Sequence, residues 1–252
     1  MIFQYASDLH LEFPKNKKTF ERRSLVPIGE VLILAGDIMP FVEIDTHKDF
    51  FNYLSDHFKT TYWIPGNHEY YGFDVATKHG KIHEAIRPNI FLINNDTVKI
   101  EDKQLIFSTM WTHIGPVHAW AIQRRMNDFF QIKFKGQHLN HIDYNFLHAE
   151  AMAFLKPAIE EKNEFKKIVI THHVPTLLNY PNKYKNDIIQ EGFAVELFDL
   201  IESYDICKWI FGHHHYNTIP FKIGNTEMLT NQLGYVQYNE HKWFQKEAIF
   251  DL

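Results

Sequence analysis

The sequence predicts an α/β fold, and three observations carry that expectation. Short, mainly apolar runs, Val31 to Ala35, Thr60 to Ile64, Ile168 to Ile170 and Lys208 to Phe211, read as strands buried on both faces. Between them lie stretches with apolar residues at helical spacing, such as Phe50, Phe51, Leu54 and Phe58. Each run also stops abruptly at an acid, an amide or a histidine, and the carboxyl ends of strands are where open α/β sheets place ligands.

With 252 residues, 45% of them hydrophobic and 15% aromatic, the chain can build a sizeable core, and α/β domains of this length commonly form one unit. No internal repeat, Ser/Gly-rich linker or break in composition marks a boundary, so residues 1–252 are expected to form a single domain. A formal net charge of -5 gives no general attraction to phosphate backbones, so nucleic acid is not the expected partner. Any anionic substrate must then be held locally, by metal or by a few placed side chains. Cys207 is the only cysteine, which excludes an intrachain disulfide and a thiolate cluster and leaves N and O atoms as metal ligands. Met1 to Phe13 lacks a cationic leader pattern, and its apolar run is broken at Gln4, Ser7 and Asp8. No apolar run reaches the length of a membrane span, and a cytoplasmic protein without a membrane segment is expected.

Ile2 to Ala6 reads as a strand leading to Asp8 and His10, which two-residue spacing puts on one side of an extended backbone. Lys15, Lys17 and Lys18 read as a solvated loop. Val31 to Ala35 stops at Gly36-Asp37, and His47 to Phe58 reads as a helix. Thr60 to Ile64 opens on Pro65-Gly66-Asn67-His68-Glu69, which alone would pass for an ordinary turn. Its side chains nonetheless offer a neutral oxygen ligand, a proton donor and an acceptor able to fix the imidazole's tautomer.

Asp74 to Ile86 reads as a helix with His79 and His83 on a solvated face. Ile90 to Asn94, Thr97 to Ile100 and Gln104 to Met110 read as strands, with Glu101-Asp102-Lys103 as a hairpin turn. Trp111 to Phe130 is the stretch that core packing explains least. It reads either as a lid carrying substrate contacts, with Arg124 or Arg125 for phosphate oxygens, or as an aromatic surface helix. Asp143 to Lys162 has the apolar stripe of a helix. Ile168 to Ile170 ends in Thr171-His172-His173, Asn186 to Tyr204 reads as helical, and Lys208 to Phe211 ends in Gly212-His213-His214-His215. Closing strands are expected around Ile219 to Ile223, Glu227 to Thr230 and Ala248 to Phe250, in a tail without visible chemistry.

The 17 histidines exceed what one site can use, yet the strand ends collect a restricted set. Besides His68, they offer Asp8, His10, Asp37, Asn67, His172, His213 and His215. These donors are too many for a single metal and suit two ions, with Asp37 able to bridge. Imidazole-rich, thiolate-free ligation fits Mn, Fe, Co, Ni or Zn.

In order, SDLH, GD, GNHE, TH and GHHH resemble the ordered motifs of the calcineurin-like metallophosphoesterases, from Asp8 to His215. Any one block is weak, but all five in this order after predicted strands are specific. The resemblance implies a four-layer α-β-β-α sandwich of two mixed sheets with a dinuclear metal centre at the strand ends. It implies hydrolysis of phosphomonoesters or phosphodiesters by a metal-bridging hydroxide, acting on a small phosphate-ester substrate. By motif position Asp8, His10 and His215 would hold one divalent or trivalent ion, Asn67, His172 and His213 the other, and Asp37 would bridge. His68 would face the substrate and protonate the leaving oxygen, with Glu69 orienting it and His173 as an outer substrate contact. The alternative is a scaffold that kept the fold and lost catalysis, but such relatives usually lack a ligand or the substrate-facing histidine. Bacterial UDP-diacylglucosamine pyrophosphatases of this size typically carry Arg where His68 stands, which counts against that substrate.

Overall fold

The apolar runs become the inner strands of two six-stranded sheets in the computed structural model, which describes residues 1–22 and 25–251. The strands are β1 (Phe3–Ala6), β2 (Val31–Ala35), β3 (Thr60–Ile64), β4 (Ile82–Arg87), β5 (Ile90–Asn94), β6 (Asp96–Ile100) and β7 (Lys103–Ser108). They continue with β8 (Lys133–Phe134), β9 (Gln137–His138), β10 (Lys166–Thr171), β11 (Ile206–Ile210), β12 (Phe221–Ile223), β13 (Thr226–Leu229) and β14 (Ile249–Phe250). The helices are α1 (Pro14–Arg22), α2 (Lys48–His57), α3 (Ala119–Gln123), α4 (Asp128–Gln131), α5 (His141–Glu160) and α6 (Phe198–Ser203). One sheet runs β14-β1-β2-β3-β5-β4, the other β12-β13-β11-β10-β7-β6, and β8 with β9 forms a small hairpin. Inner strands are parallel and edge strands antiparallel, so both sheets are mixed.

Alternation along the strands sorts their side chains between two faces. Ile33, Ile64, Phe107 and Ile170 fill the space between the sheets. Leu32, Leu34 and Trp63 turn outward onto Phe51 and Leu54 of α2. Ile106, Val169 and Trp209 turn outward onto Leu155 and Ile159 of α5 and Ile201 of α6. Both faces of each inner strand are therefore dry, which explains the unbroken apolar runs. The result is the helix-sheet-sheet-helix sandwich that the resemblance implies.

Parallel pairing sets the carboxyl ends of β1, β2 and β3 along one edge, with Ala6 beside Leu34 and Ala35 beside Ile64. The second sheet does the same with β10 and β11, where Ile170 lies beside Ile210. Every loop with a ligand-type residue leaves from such an end.

Three expectations fail for local reasons. Asp74 to Ile86 is not a helix: a short turn at Val75–Thr77 is followed by Gly80 at φ +65°, and β4 then pairs with β5. His79 and His83 separate there, bonding to Glu150 and Asp96. Asn186 to Tyr204 is broken into a 3-10 turn, Ile188–Gly192, and α6, because residues 193 and 195 pair with the Val174 backbone. The lysine segment Lys15 to Lys18 lies in α1, where Pro14 supplies a preset φ at the first position and Asn16 ties the helix to the Leu9 and Gly234 carbonyls. Among the described residues no helix is long and apolar enough to cross a membrane.

Tyr5 lies between the sheets, where burial, with the Glu227 charge second, pushes its phenol up to about 12. An unfolded tyrosine ionises at about 10. Its contribution to stability is therefore complete below that lower value and is lost as pH rises toward the higher one. Tyr5→Phe is expected to flatten the fall in denaturant stability over this interval, and an unchanged slope would contradict the burial.

Candidate metal centre

The turns after the strands hold ligand-type residues in a conformation that side chains rarely adopt. Asp8 (φ 54°), His10 (φ 48°), Asp37 (φ 54°), His213 (φ 75°) and His215 (φ 50°) all lie in the left-handed region. Each such residue costs roughly 1–3 kcal/mol and persists only where its surroundings over-determine it. Glu69 supplies part of that constraint. Its Oε2 accepts from the backbone N–H of Asp37 (2.9 Å) and Gly66 (2.6 Å), and its Oε1 from Ile38 N–H (2.7 Å) and Trp63 Nε1 (3.0 Å). One carboxylate thus clasps the Gly36-Asp37 turn to the Gly66-Asn67 turn. Gly66 and Gly212 are needed for close approach: a Cβ on Gly66 would strike Asp37 and lie 2.7 Å from His172, and one on Gly212 would strike Asp8.

The donors gather in two groups that share Asp37: Asp8, His10, Asp37 and His215, and Asp37, His172 and His213. His215 Nε2 lies 3.4 Å from Asp8 Oδ1, and His10 Nε2 lies 3.7 Å from Asp37 Oδ2. In the second group, His172 Nε2 lies 3.3 Å from Asp37 Oδ1, 3.1 Å from His213 Nδ1 and 3.2 Å from Asn67 Oδ1. The outer nitrogens of three of these rings are occupied, whereas Nε2 of His213, whose Nδ1 faces inward, is buried without a partner. Nδ1 of His172 donates to the Ala35 carbonyl (2.9 Å), that of His10 faces Glu12 (3.1 Å), and that of His215 faces Glu240 (2.8 Å). This turns Nε2 of His10, His172 and His215 inward, the arrangement of metal-binding histidines.

The inward groups fit a cation. His10 Nε2 and His215 Nε2 face each other at 2.9 Å, where two lone pairs repel unless positive charge lies between them. Burial opposes charging of His172 and His215, yet Asp37 outweighs it for the first and Asp8 with Glu240 for the second, carrying them up to about 9 and about 10. The cluster is short of positive charge. Asn67 fits as a neutral oxygen donor, since its Nδ2 donates to Asp128 Oδ1 (2.9 Å) and leaves Oδ1 toward His172.

His68 sits beside the first group with its ring stacked on Tyr71 at 4.0 Å between centroids. Its Nδ1 lies 2.8 Å from Glu12 Oε1, and its Nε2 lies 3.2 Å from the Tyr235 hydroxyl. Glu69 is therefore not the residue that orients His68, because both its oxygens are taken by the clasp; Glu12 holds that place. Burial works against the Glu12 carboxylate, but hydrogen bonds from His10 and His68 hold it down at about 2. His173 is no substrate contact either. It is fully buried, with Nε2 3.2 Å from the Tyr144 hydroxyl and Nδ1 3.2 Å from the Thr109 carbonyl, and burial followed by the His172 charge brings it down to about 3. Two residues of the tail, Tyr235 and Glu240, reach the site, which corrects the expectation of a tail without chemistry.

A cavity of about 400 Å³ opens on this cluster, lined at its base by Asp37, Asn67, His68, His213 and His215. The segment expected to act as a lid or a surface helix contributes Arg125, Met126, Asn127 and Asp128 to its wall. Arg124 is exposed and lies over the Trp120 ring at 4.8 Å, away from the lining. Arg125 is paired with Asp187 through both terminal nitrogens, at 2.8 and 2.9 Å.

A family model described as Calcineurin-like phosphoesterase matches residues 5–217. A protein of Acanthamoeba polyphaga mimivirus, described only as uncharacterised, is 30% identical, covering 100% of this chain and 96% of the relative. Among solved structures, phosphopantetheinyl hydrolase from Mycobacterium tuberculosis aligns with a TM-score of 0.70 at 16% identity, over 98% of this chain and 95% of that one. A dimetal phosphatase from Danio rerio aligns with a TM-score of 0.44 at 11% identity, over 92% of this chain and 87% of that one.

Glu69→Gln would turn an amide donor toward backbone N–H donors. It is expected to lower the stability of the metal-free protein by about 1–3 kcal/mol in chemical denaturation. Wild-type stability in this variant would contradict the clasp.

Proposed function

The chain belongs to the calcineurin-like phosphoesterase family, and from that premise we propose that it hydrolyses phosphomonoesters or phosphodiesters at a dinuclear metal centre. The observation that carries this reading is the pair of donor groups sharing Asp37, with His68 beside them on the wall of one cavity. Asp8, His10 and His215 would hold one ion, Asn67, His172 and His213 the other, and Asp37 both. Two ions of Mn, Fe, Co, Ni or Zn would supply Lewis acidity to the phosphoryl oxygens and bring the pKa of a water molecule near neutrality.

The chain's own contribution is orientation and one placed proton. The cavity seats the ester with its phosphoryl group against the donor cluster and its leaving oxygen toward His68. His68 holds that proton at Nε2, where the leaving oxygen takes it as its bond to phosphorus breaks and an oxygen from water bonds to phosphorus in its place. General-acid assistance of this kind contributes about 10² to 10⁴ in rate. Glu12 accepts from Nδ1 and fixes the ring's tilt, while Tyr71 packs against the ring face and prevents it from turning away. The Tyr235 hydroxyl stands at Nε2 and supplies a polar neighbour on the cavity side.

Protein purified without chelator or a His tag is expected to contain about two metal ions per chain. It should hydrolyse 4-nitrophenyl phosphate or bis(4-nitrophenyl) phosphate with a rate that is lost on chelation and restored by metal. Two bound metals without turnover of any ester would contradict the proposal and favour the scaffold. His68→Ala is expected to keep both ions while kcat falls about 100-fold or more. Wild-type kcat in the metal-replete variant would remove His68 from the mechanism.

A further inference from the structure

The cavity beside the donor cluster has an aromatic wall, in which Tyr71, Phe193 and Tyr235 also pack on His68, His213 and His215, and to which Tyr184 adds a further ring. Tyr71, Tyr184, Phe193 and Tyr235 line it, and each is only half-buried, so ring surface remains open on the wall. Met126 and Ile189 also line it. The volume, about 400 Å³, falls in the range that holds a small organic ligand. Tyr184 belongs to the turn Asn182–Tyr184 and has no role in the donor cluster, so nothing in the proposed chemistry accounts for its place there.

The charges on the same wall point the same way. Outside the donor cluster, and among the described residues, the lining carries the carboxylates of Asp128, Asp187 and Glu240 against one guanidinium, Arg125. That guanidinium is already committed to Asp187 through two hydrogen bonds. Lys183 lies over the Tyr184 ring at 4.4 Å but is not part of the lining. A second or third phosphate would therefore meet carboxylates rather than the Arg and Lys clusters that bind polyphosphates.

We infer that the substrate is an ester of a single phosphoryl group whose organic part is a planar aromatic, an aryl or nucleoside ester, stacked against this wall, and not a polyphosphate. The inference rests on the phosphoesterase reading and names the substrate class for that site. Stacking against aromatic side chains with offset or edge geometry gives a preference on the order of ten-fold over an aliphatic group.

The test uses the full chain loaded with metal and two ligands that cannot be hydrolysed, phenylphosphonate and methylphosphonate, with calorimetric binding as the readout. Phenylphosphonate is expected to bind about ten-fold tighter or better. Tyr184→Ala should shrink that preference, and Tyr184→Phe, which keeps the ring, should retain it. Equal binding of the two phosphonates, or a preference untouched in Tyr184→Ala, would overturn the inference. In parallel, kcat/KM for thymidine 5'-(4-nitrophenyl phosphate) should exceed that for adenosine triphosphate, and the reverse order would overturn the exclusion of polyphosphates. A phenyl preference with no turnover of any ester would sink the hydrolase reading while upholding aromatic recognition. Turnover with no phenyl preference would sink this inference alone.

Discussion

The arrangement depends on one carboxylate, Asp37. Its Oδ1 lies 3.3 Å from His172 Nε2 and accepts the backbone N–H of His68 at 2.9 Å, while its Oδ2 lies 3.7 Å from His10 Nε2. Both donor groups and the His68 backbone are thus referred to a single side chain. The cluster of His10, His172 and His215 around it would be unfavourable in a dry interior without charge to balance it. Burial opposes ionisation of Asp37, but the surrounding imidazoles, His172 first, hold its pKa well below the usual carboxylate range. The site gathers carboxylates and imidazoles able to hold a metal ion.

Sheet architecture delivers those groups. Parallel strands place their carboxyl ends side by side, and the sandwich brings the ends of β2 and β3 against the ends of β10 and β11. The left-handed turns that follow store strain, and packing elsewhere offsets it: Glu69 ties two of these turns together, Ser7 bonds to Asp8, and the N–H of His213 donates to Asp8 Oδ1 at 2.9 Å. Strain of this kind is expected where geometry matters more than stability. The tail closes the arrangement, with Glu240 behind His215 and Tyr235 over His68.

Much of this was legible because the chemistry is local in sequence. Strands buried on both faces leave continuous apolar runs, and the ligand-type residues follow within a few positions, so Val31–Ala35, Thr60–Ile64 and Ile90–Asn94 were read with their observed bounds. The supporting groups were not legible, since each meets its partner across a long stretch of chain. Glu12 reaches His68, Asp128 reaches Asn67, and Tyr235 and Glu240 return from the far end. Glu69 misled because adjacency to His68 suggested a contact, whereas its side chain points to the Asp37 turn. The nearest available signal for Glu12 was its position two residues after His10, although the left-handed turns at Asp8 and His10 are not the extended backbone to which strand alternation applies. Residues 74–86 have helical spacing, but Gly80 and pairing with β5 override it.

The most direct measurement is anomalous diffraction from crystals of the manganese-loaded protein, because it locates ions without reference to turnover. Two peaks about 3.5–4 Å apart, one on each side of the Asp37 carboxylate, are the expected result. A single peak, or two peaks that do not share Asp37, would contradict a dinuclear centre organised around that residue.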